Sequence, residues 1–478
     1  MRQISLFALF FSLVSPLFGF EVVGVAKLNY KALEASLGGQ KNELLEESTY
    51  FFTIEDSGEL SFYIYHRPLN PALFPAHAAQ SEEFANREFI ATEGGYFEND
   101  AQSLHIEKNA KELLAFYKKL PKEPLYILAK GSRILQALDK SPDFAKDAKE
   151  MPCIARFIVE DIESLELKAA TEGDPLRLIT VVKAHKGSAL GRYFNQRLRG
   201  VDKEFLGSIS KKNAAIYGYS NTNIPAFLEY RRAYAKFKCE SASASETLPG
   251  SEKLQALYDG PMAFILDNNF NIFIDAAGSF SLTQTDELLA EYDDASLKSG
   301  GNLTKTARSF ETENGYPVWE TISNGQSHNF FTALHRGDIV FGMAPKEEFA
   351  SFINTLDAPI AKSESLYEAF NHYPTVCAQF FIYPKTLYAA TGKLLPFELP
   401  KAAFTDEPVY IAASQSQDKM GLTVDIPRAN LNAGKELATT LSKIYMTLRM
   451  LETQQELERT KEELESLKAK EPKSQPNP

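Results

Sequence analysis

Three short motifs carry the residue types that serine acyl transfer requires, in a usable order. Ser208-Ile209-Ser210-Lys211 fits SxxK, in which the serine hydroxyl is the nucleophile and the lysine assists proton transfer. Tyr219-Ser220-Asn221 and Lys298-Ser299-Gly300 follow as the second and third elements of such a set. The order alone makes a covalent acyl-enzyme the first chemistry to consider.

In this order the motifs resemble those of penicillin-binding proteins and β-lactamases, but three departures argue against that chemistry. Tyr219 follows Lys211 too closely to leave room for the helical domain that the resemblance implies between them. Ser208 should open a buried helix, yet it begins a polar connector. Lys298 should lie on a strand, whereas ASLKSGGNL is typical of a loop.

Metal chemistry finds no support in the spacing of the ligand-type residues. The seven histidines form no HxH, HxxH or HxxxH pair, and neither HExxH nor CxxC occurs. The segment from Asp267 to Asn271 (DNNFN) imitates the start of a calcium loop, but Ile272 replaces the required glycine and Gly278 the closing glutamate. A hairpin turn is the simpler interpretation. Because GxGxxG, GxxxxGK[ST] and GxSxG are also absent, we predict no catalytic, cofactor-binding or metal-ligating residue.

The elements around these motifs are mostly short strands joined by turn residues. The clearest hairpins pair Tyr50–Ile54 with Leu60–His66, Met262–Leu266 with Asn271–Asp275, and Pro408–Ala413 with Gly421–Ile426. Helices are predicted at 109–119 and 225–238, and an aromatic stripe on the second is expected to face a core.

The first twenty residues have the layout of a secretory signal peptide. Arg2 precedes the apolar run Ile4–Val14, and Ser15 and Pro16 then interrupt it. The run is shorter than the ~20 residues that span a bilayer. We therefore predict a periplasmic or secreted protein. Leu17 fits a cleavage site poorly, so an uncleaved leader is the alternative, and it would tether the protein to the membrane.

Composition restricts the remaining function classes. The chain has 478 residues and a formal charge of −12, and it contains 34 Phe and 21 Tyr. The acidic charge without a basic stripe argues against nucleic-acid binding, and the aromatic content predicts a large folded interior. Cys153, Cys239 and Cys377 are too few for a disulfide scaffold, although one pair is enough for a single bridge.

A serine-rich stretch at 239–253 is the best linker candidate, and the halves that it separates look similar. The strand and helix at 125–138 match those at 339–353, and 179–181 matches 422–424. Coincidence and internal duplication both fit this order.

Two segments add a family resemblance. The segments 331–349 (FTALHRGDIVFGMAPKEEF) and 210–221 (SKKNAAIYGYSN) resemble recurring parts of exported bacterial proteins known only as domains of unknown function. The resemblance implies an α+β envelope protein and carries no catalytic residue across.

The C-terminal sequence from Lys435 to Lys470 contains neither proline nor glycine and predicts a helix. A heptad-like leucine seam continues through Leu457, Leu464 and Leu467, which are the candidate interaction residues. A coiled coil that dimerises the chain or binds a partner competes with a solvated, projecting helix, because only about two clean heptads follow Met450.

Together these patterns predict an α+β fold of antiparallel sheets with packed helices, plus a long C-terminal helix. Two related modules are one possible organisation of this fold. The predicted segments are a signal peptide (1–20), an N-terminal module (21–238), a linker (239–253), a C-terminal module (254–434), a helix or coiled coil (435–470) and a disordered tail (471–478).

The favoured function is that of an exported cell-envelope protein without enzymatic activity. Its C-terminal helical arm would bind a second copy of the chain or another envelope protein, and it would touch a membrane only if the leader is retained. An exported hydrolase or transferase with an unrecognised site is the first alternative, and an apolar-ligand carrier is the second.

Overall fold

A computed structural model describes most of the chain between residues 21 and 450. The described residues are 21–37, 42–54, 60–81, 84, 87–99, 106–140, 159–170, 173–195, 214–221, 229–230, 258–298, 304–323, 326–357, 376–395, 398–443, 446 and 449–450. Outside them lie the predicted signal peptide, the linker, Cys153, Cys239, Ser208, Lys211, Leu457, Leu464 and Leu467.

Strands dominate the described residues. Those of the first half are β1 (Glu21–Asn29), β2 (Leu45–Ile54), β3 (Leu60–Pro68), β4 (Glu88–Thr92), β5 (Gly95–Asn99), β6 (Leu125–Ala129), β7 (Ile162–Ala170) and β8 (Leu176–Ala184). Those of the second half are β9 (Ala214–Asn221), β10 (Tyr258–Asp267), β11 (Ile272–Gly278), β12 (Thr304–Glu311), β13 (Pro317–Ser323), β14 (Gln326–His335), β15 (Asp338–Met343), β16 (Val376–Ile382), β17 (Val409–Ser416) and β18 (Lys419–Ile426).

Helices connect these strands. They are α1 (Tyr30–Leu37), α2 (Phe74–Ala78), α3 (Ile106–Tyr117), α4 (Gly131–Lys140), α5 (Ala189–Phe194), α6 (Leu282–Lys298), α7 (Lys346–Thr355) and α8 (Pro384–Leu394), and α9 covers 428–443. No helix in the described part of the chain combines the length and apolar character that crossing a bilayer requires.

All eighteen described strands belong to one antiparallel sheet. Their pairings give the order β4-β5-β3-β2-β1-β6-β7-β8-β18-β17-β16-β9-β10-β11-β15-β14-β13-β12. Among the described strands, β4 and β12 form the two edges. The three predicted hairpins are confirmed as β2–β3, β10–β11 and β17–β18.

The β8–β18 pair joins the two halves of the sheet. It runs from Leu176 opposite Ile426 to Lys183 opposite Lys419. Arg177 on β8 donates two hydrogen bonds to Asp425 on β18, at 2.7 and 2.8 Å. A bidentate guanidinium–carboxylate contact fixes orientation as well as adding attraction, so it helps to set the register of this junction.

Strand order is the same on both sides of the junction for eight strands. Outward from the junction, the strands of the first side follow the order β8-β7-β6-β1-β2-β3-β5-β4. Those of the second side follow the equivalent order β18-β17-β16-β9-β10-β11-β15-β14, and this side continues to β13 and β12. The predicted match of 179–181 with 422–424 falls on the equivalent strands β8 and β18. The predicted match of 125–128 with 339–342 does not fall on equivalent strands. Residues 125–128 lie on β6, whose equivalent is β16, and residues 339–342 lie on β15, whose equivalent is β5.

The predicted α+β fold class is wrong for the described residues. Antiparallel sheets with packed helices were expected, but a single eighteen-stranded sheet runs through both halves of the chain and the helices are few. The expected long C-terminal helix is described only as α9 and a few residues beyond it. The physical reason is that alternating apolar residues identify a strand but not its neighbour, and Arg177 and Asp425 meet although 248 positions separate them.

Helix α7 closes one face of the second half of the sheet. Phe352 stacks on Phe273 of β11 with 4.2 Å between ring centroids, and Phe349 stacks on Phe331 of β14 at 5.4 Å. These rings belong to the largest buried cluster, which also contains Tyr217 and Tyr219. Cys377 is a free cysteine in the described structure, and its burial agrees with the prediction from its apolar segment.

A substitution at Gly342 on β15 tests how closely α7 packs on the sheet. An added Cβ would overlap the ring of Phe349, so Gly342→Ala must displace α7 and should lower the free energy of unfolding by about 1–3 kcal/mol. Gly434→Ala in α9 is the matched control, because no atom lies within 4 Å of its added Cβ and alanine favours a helix. Urea denaturation measures both; equal stabilities would contradict this packing.

Candidate functional site

Ser48, His66 and Glu98 form a hydrogen-bonded series across β2, β3 and β5. Ser48 Oγ lies 2.8 Å from His66 Nδ1, and His66 Nε2 lies 3.2 Å from Glu98 Oε2. Ser48 and His66 are direct cross-strand partners, so backbone register alone brings them together. Serine, imidazole and carboxylate follow one another as in a catalytic triad, but the two ring nitrogens are exchanged relative to that arrangement.

This series is sealed inside the protein. The exposed fractions of Ser48, His66 and Glu98 are 0, 3 and 2%. Three rings surround the imidazole, with centroids 5.6–6.3 Å from its own, and they belong to Phe74, Phe84 and Phe89. Because no substrate atom has access to Ser48, the arrangement supports a structural role.

The carboxylate of Glu98 completes that structural role. Burial alone would raise its pKa, but the hydrogen bond from His66 and the neighbouring charge of Arg87 outweigh burial, so the pKa of Glu98 is lowered. Arg87 reaches Glu98 from the surface and also hydrogen-bonds it. The network therefore ties β2, β3 and β5 to the segment that precedes β4.

Ser132 and His185 form a more accessible pair. Ser132 lies in the first turn of α4, directly after β6, and its Oγ is 2.6 Å from His185 Nε2. Both residues are partly exposed. The backbone of His185 is fixed because its N–H donates to Asp161 O at 2.8 Å, while Asp161 Oδ2 accepts the N–H of Leu190 at 2.8 Å.

The Ser132–His185 pair supplies the nucleophile and the base of an acyl hydrolase, but the described residues supply no carboxylate that orients the base. A carboxylate that orients the imidazole completes such sites, and no described carboxylate hydrogen-bonds the His185 ring. The first-turn amides of α4 lie beside Ser132 without intrahelical partners, which suits the stabilisation of an oxyanion.

Asp357 is surrounded by donors at the end of α7. Its Oδ1 lies 3.1 Å from His335 Nε2 and accepts from Tyr316 OH at 2.9 Å, and its Oδ2 accepts from Asn314 at 2.7 Å. Burial opposes ionisation, but these bonds and the charge of Arg336 outweigh it and lower the pKa of Asp357. With its oxygens occupied, this carboxylate joins α7 to β14 and is unsuited to binding a ligand.

Asp275 on β11 is the least satisfied polar side chain of the closed face. It is 2% exposed, and neither carboxylate oxygen has a hydrogen-bond partner within the described structure. Burial, and secondarily the charge of Asp338, raises its pKa to about 8. Asp275 therefore keeps its proton at neutral pH, which avoids an uncompensated charge in the core.

The opposite face of the same strands carries an apolar surface. Phe330 and Met343 are cross-strand partners on β14 and β15, and Phe341 lies two residues from Met343 on the same face. Their exposed fractions are 47, 38 and 40%. We call these three residues the β14–β15 patch. Ile272 and Ile274 of β11, opposite Met343 and Phe341, extend it as partly buried residues.

A second exposed apolar surface lies on the C-terminal helix. Every described residue from 438 to 450 is exposed, so this segment leaves the body of the protein. Leu441 is 42% exposed, Met446 64% and Met450 65%.

Of the three serine-enzyme motifs, only Tyr219–Asn221 and Lys298 lie within the described residues. Tyr219 is buried in β9, and Lys298 is the last residue of α6. Asp267 is confirmed as part of a hairpin turn, because its carboxylate accepts the N–H groups of Asn269 and Asn271 at 2.8 and 2.9 Å. The described residues also lack any group of three His, Cys, Asp or Glu placed to hold a metal ion.

Sequence inspection missed both serine–histidine contacts. Ser48 and His66 are 18 positions apart, and Ser132 and His185 are 53 apart, so no short motif contains either pair. The only local signal for either pair was the position of Ser132, which follows a strand, Lys130 and Gly131 and lies in the first turn of a helix.

Comparisons with known proteins give little guidance. No protein-family model matches the chain, and no curated protein is significantly similar to it. Crystal forms IV and III of TP0453 match with 10 and 11% identity and TM-scores of 0.26 and 0.25; they cover 51 and 49% of this chain and 98 and 97% of TP0453. At these values the likeness supports no argument about function.

The raised pKa of Asp275 predicts how stability depends on pH. Below about pH 4 the carboxyl is protonated in both the folded and the unfolded chain. Between about pH 4 and 8 only the unfolded chain releases this proton, so the free energy of unfolding falls by about 1.4 kcal/mol per pH unit from this group; above pH 8 the loss is complete. Asp275→Asn removes this titration.

The stability difference between Asp275→Asn and the unaltered protein should therefore grow in favour of the variant from pH 4.5 to 7.5. The total difference is expected to be on the order of a few kcal/mol. Urea denaturation at several pH values measures it. Parallel pH profiles for the two proteins would show that Asp275 is ionised in the folded state.

Proposed function

We propose that this protein is a non-enzymatic, exported protein of the bacterial cell envelope that assembles with a second copy through its C-terminal helix. The single observation that carries the proposal is the exposure of Leu441, Met446 and Met450 on a segment that leaves the body. Exposed apolar side chains are common, but three on one projecting segment are typical of a binding surface.

The energetic argument is simple. A helix that projects into water gains nothing from packing on its own body, and its apolar side chains favour an apolar partner. Burying one Met or Leu side chain contributes ~1.5–3 kcal/mol, so a few such contacts overcome much of the entropy lost on association. The heptad-like spacing around Leu441 in the sequence is consistent with this use.

Two further features support the envelope assignment and the absence of catalysis. The N-terminal layout predicts export, and segments 210–221 and 331–349 resemble parts of other exported bacterial proteins. The most complete catalytic arrangement in the described structure, at Ser48, is closed to substrate.

A second candidate function, ester hydrolysis, rests on Ser132 and His185. In that reaction Ser132 Oγ attacks the ester carbonyl carbon while its proton passes to His185 Nε2, and the alcohol departs with that proton. Water then cleaves the acyl-serine and releases the acid. Because no carboxylate among the described residues orients His185, this candidate is less well supported than assembly.

Replacing Leu441, Met446 and Met450 together with serine should leave a folded protein with the mass of one chain. The full mature chain should show a larger mass in sedimentation analysis. Ala438→Ser combined with Ser442→Ala, at exposed positions of the same helix, is the matched control and should assemble normally. A single-chain mass for the unaltered protein, or unchanged assembly of the triple variant, would rule out the proposal.

A fluorophosphonate probe separates the two candidate functions. If Ser132 is a nucleophile, the probe should modify it, Ser132→Ala should remove the label, and His185→Gln should slow labelling at least ~100-fold. Ser48 should stay unlabelled because it is buried. Peptide mass spectrometry locates the adduct. Absence of any label at Ser132 would exclude the hydrolase candidate.

A further inference from the structure

The β14–β15 patch lies on the open face of the sheet. Phe273 and Ile274 are consecutive on β11, so their side chains point to opposite faces. Phe273 packs under Phe352 of α7, whereas Ile274 is the cross-strand partner of Phe341. The patch therefore faces away from α7 and its buried core.

An acidic helix borders the patch on this same face. Trp319, Thr332 and Phe341 are successive cross-strand partners, so they share one face. Trp319 donates to Asp286 of α6 at 2.7 Å, which places α6 on the face of the patch. Next to Asp286 lies the exposed Glu287. An occupant of the patch thus meets apolar side chains beside negative charge.

One side of the C-terminal helix has the complementary character. Met446 and Met450 are four residues apart and so lie one turn apart on the same side. Lys443 and Arg449 stand three positions before and after Met446, so positive charge flanks the two methionines. All four residues are exposed.

We propose that the β14–β15 patch binds the Met446–Met450 side of the C-terminal helix of a second copy. This inference rests on the proposed function and names the surface that receives the helix. Methionine is unbranched and polarizable, and its sulfur makes favourable contacts with aromatic rings, which suits it to Phe330 and Phe341. Lys443 and Arg449 then approach the acidic α6, and this charge pairing favours one docking orientation.

The predicted contact joins two different surfaces, the helix of one chain and the patch of another. Both are exposed in the described chain, so the helix does not occupy the patch of its own body. Two chains that exchange helices reciprocally close into a dimer, whereas one-way contacts leave a free patch and a free helix and build rings or filaments.

Two double variants test the contact in the full mature chain. Phe341→Gln with Met343→Gln alters the patch, and Met446→Gln with Met450→Gln alters the helix. Each removes two apolar groups, so each should weaken association at least ~100-fold. Lys305→Gln, at an exposed position on β12, is the control and should assemble normally. Circular dichroism and thermal melts confirm that each variant folds.

Mixing the two double variants decides the geometry. Each alone should have the mass of one chain in sedimentation analysis. Their equimolar mixture should form a complex of two chains and no larger species, because only one intact helix and one intact patch remain.

The opposing outcomes are distinct. Normal assembly of the patch variant, with loss in the helix variant, overturns this inference but leaves the proposed function standing. A mixture that stays at the mass of one chain also overturns it. Normal assembly of both variants removes the inference and the proposed function together.

Discussion

Backbone pairing between β8 and β18 is the constraint on which the described architecture depends. It turns two sets of strands, far apart in the chain, into one sheet. Arg177 and Asp425 add a bidentate contact at the same junction. Without this pairing, each side would present another unpaired edge, and exposed edges invite association with other chains. The junction therefore determines which strands are interior and which elements remain at the surface.

The two faces of the second half of this sheet differ in the helices that cover them. Phe349 and Phe352 of α7 close one face over β11 and β14, and Gly342 supplies the space for the Phe349 ring. On the other face α6 covers Trp319 but leaves Phe341 exposed. This asymmetry leaves an apolar surface for binding, beside negative charge, while the core remains closed.

Polar chemistry in the interior serves structure more than reaction. Ser48, His66 and Glu98 satisfy one another across three strands, which removes the cost of burying each alone. Asp275 avoids a similar cost by keeping its proton. A series of groups that resembles a catalytic triad therefore suggests an activity only where a substrate has access to it. Ser132 and His185 are partly exposed, but no carboxylate among the described residues orients the imidazole.

The sequence by itself determined the local features of this protein. Apolar alternation and turn residues located the β2–β3, β10–β11 and β17–β18 hairpins, because register within a hairpin depends on neighbouring residues. The apolar segment around Cys377 likewise predicted its burial. Export and the interaction leucines Leu457, Leu464 and Leu467 remain predictions.

Only the tertiary structure decided the single sheet, the serine–histidine contacts and the open face. Pairing of β8 with β18, and contact of Ser132 with His185, depend on strands that are distant in the chain, and local pattern carries no information about them. The exposure of Phe341 and Met450 is decided in the same way. Apolar residues in a strand or helix predict burial, and only the positions of all neighbouring elements reveal which faces are left uncovered.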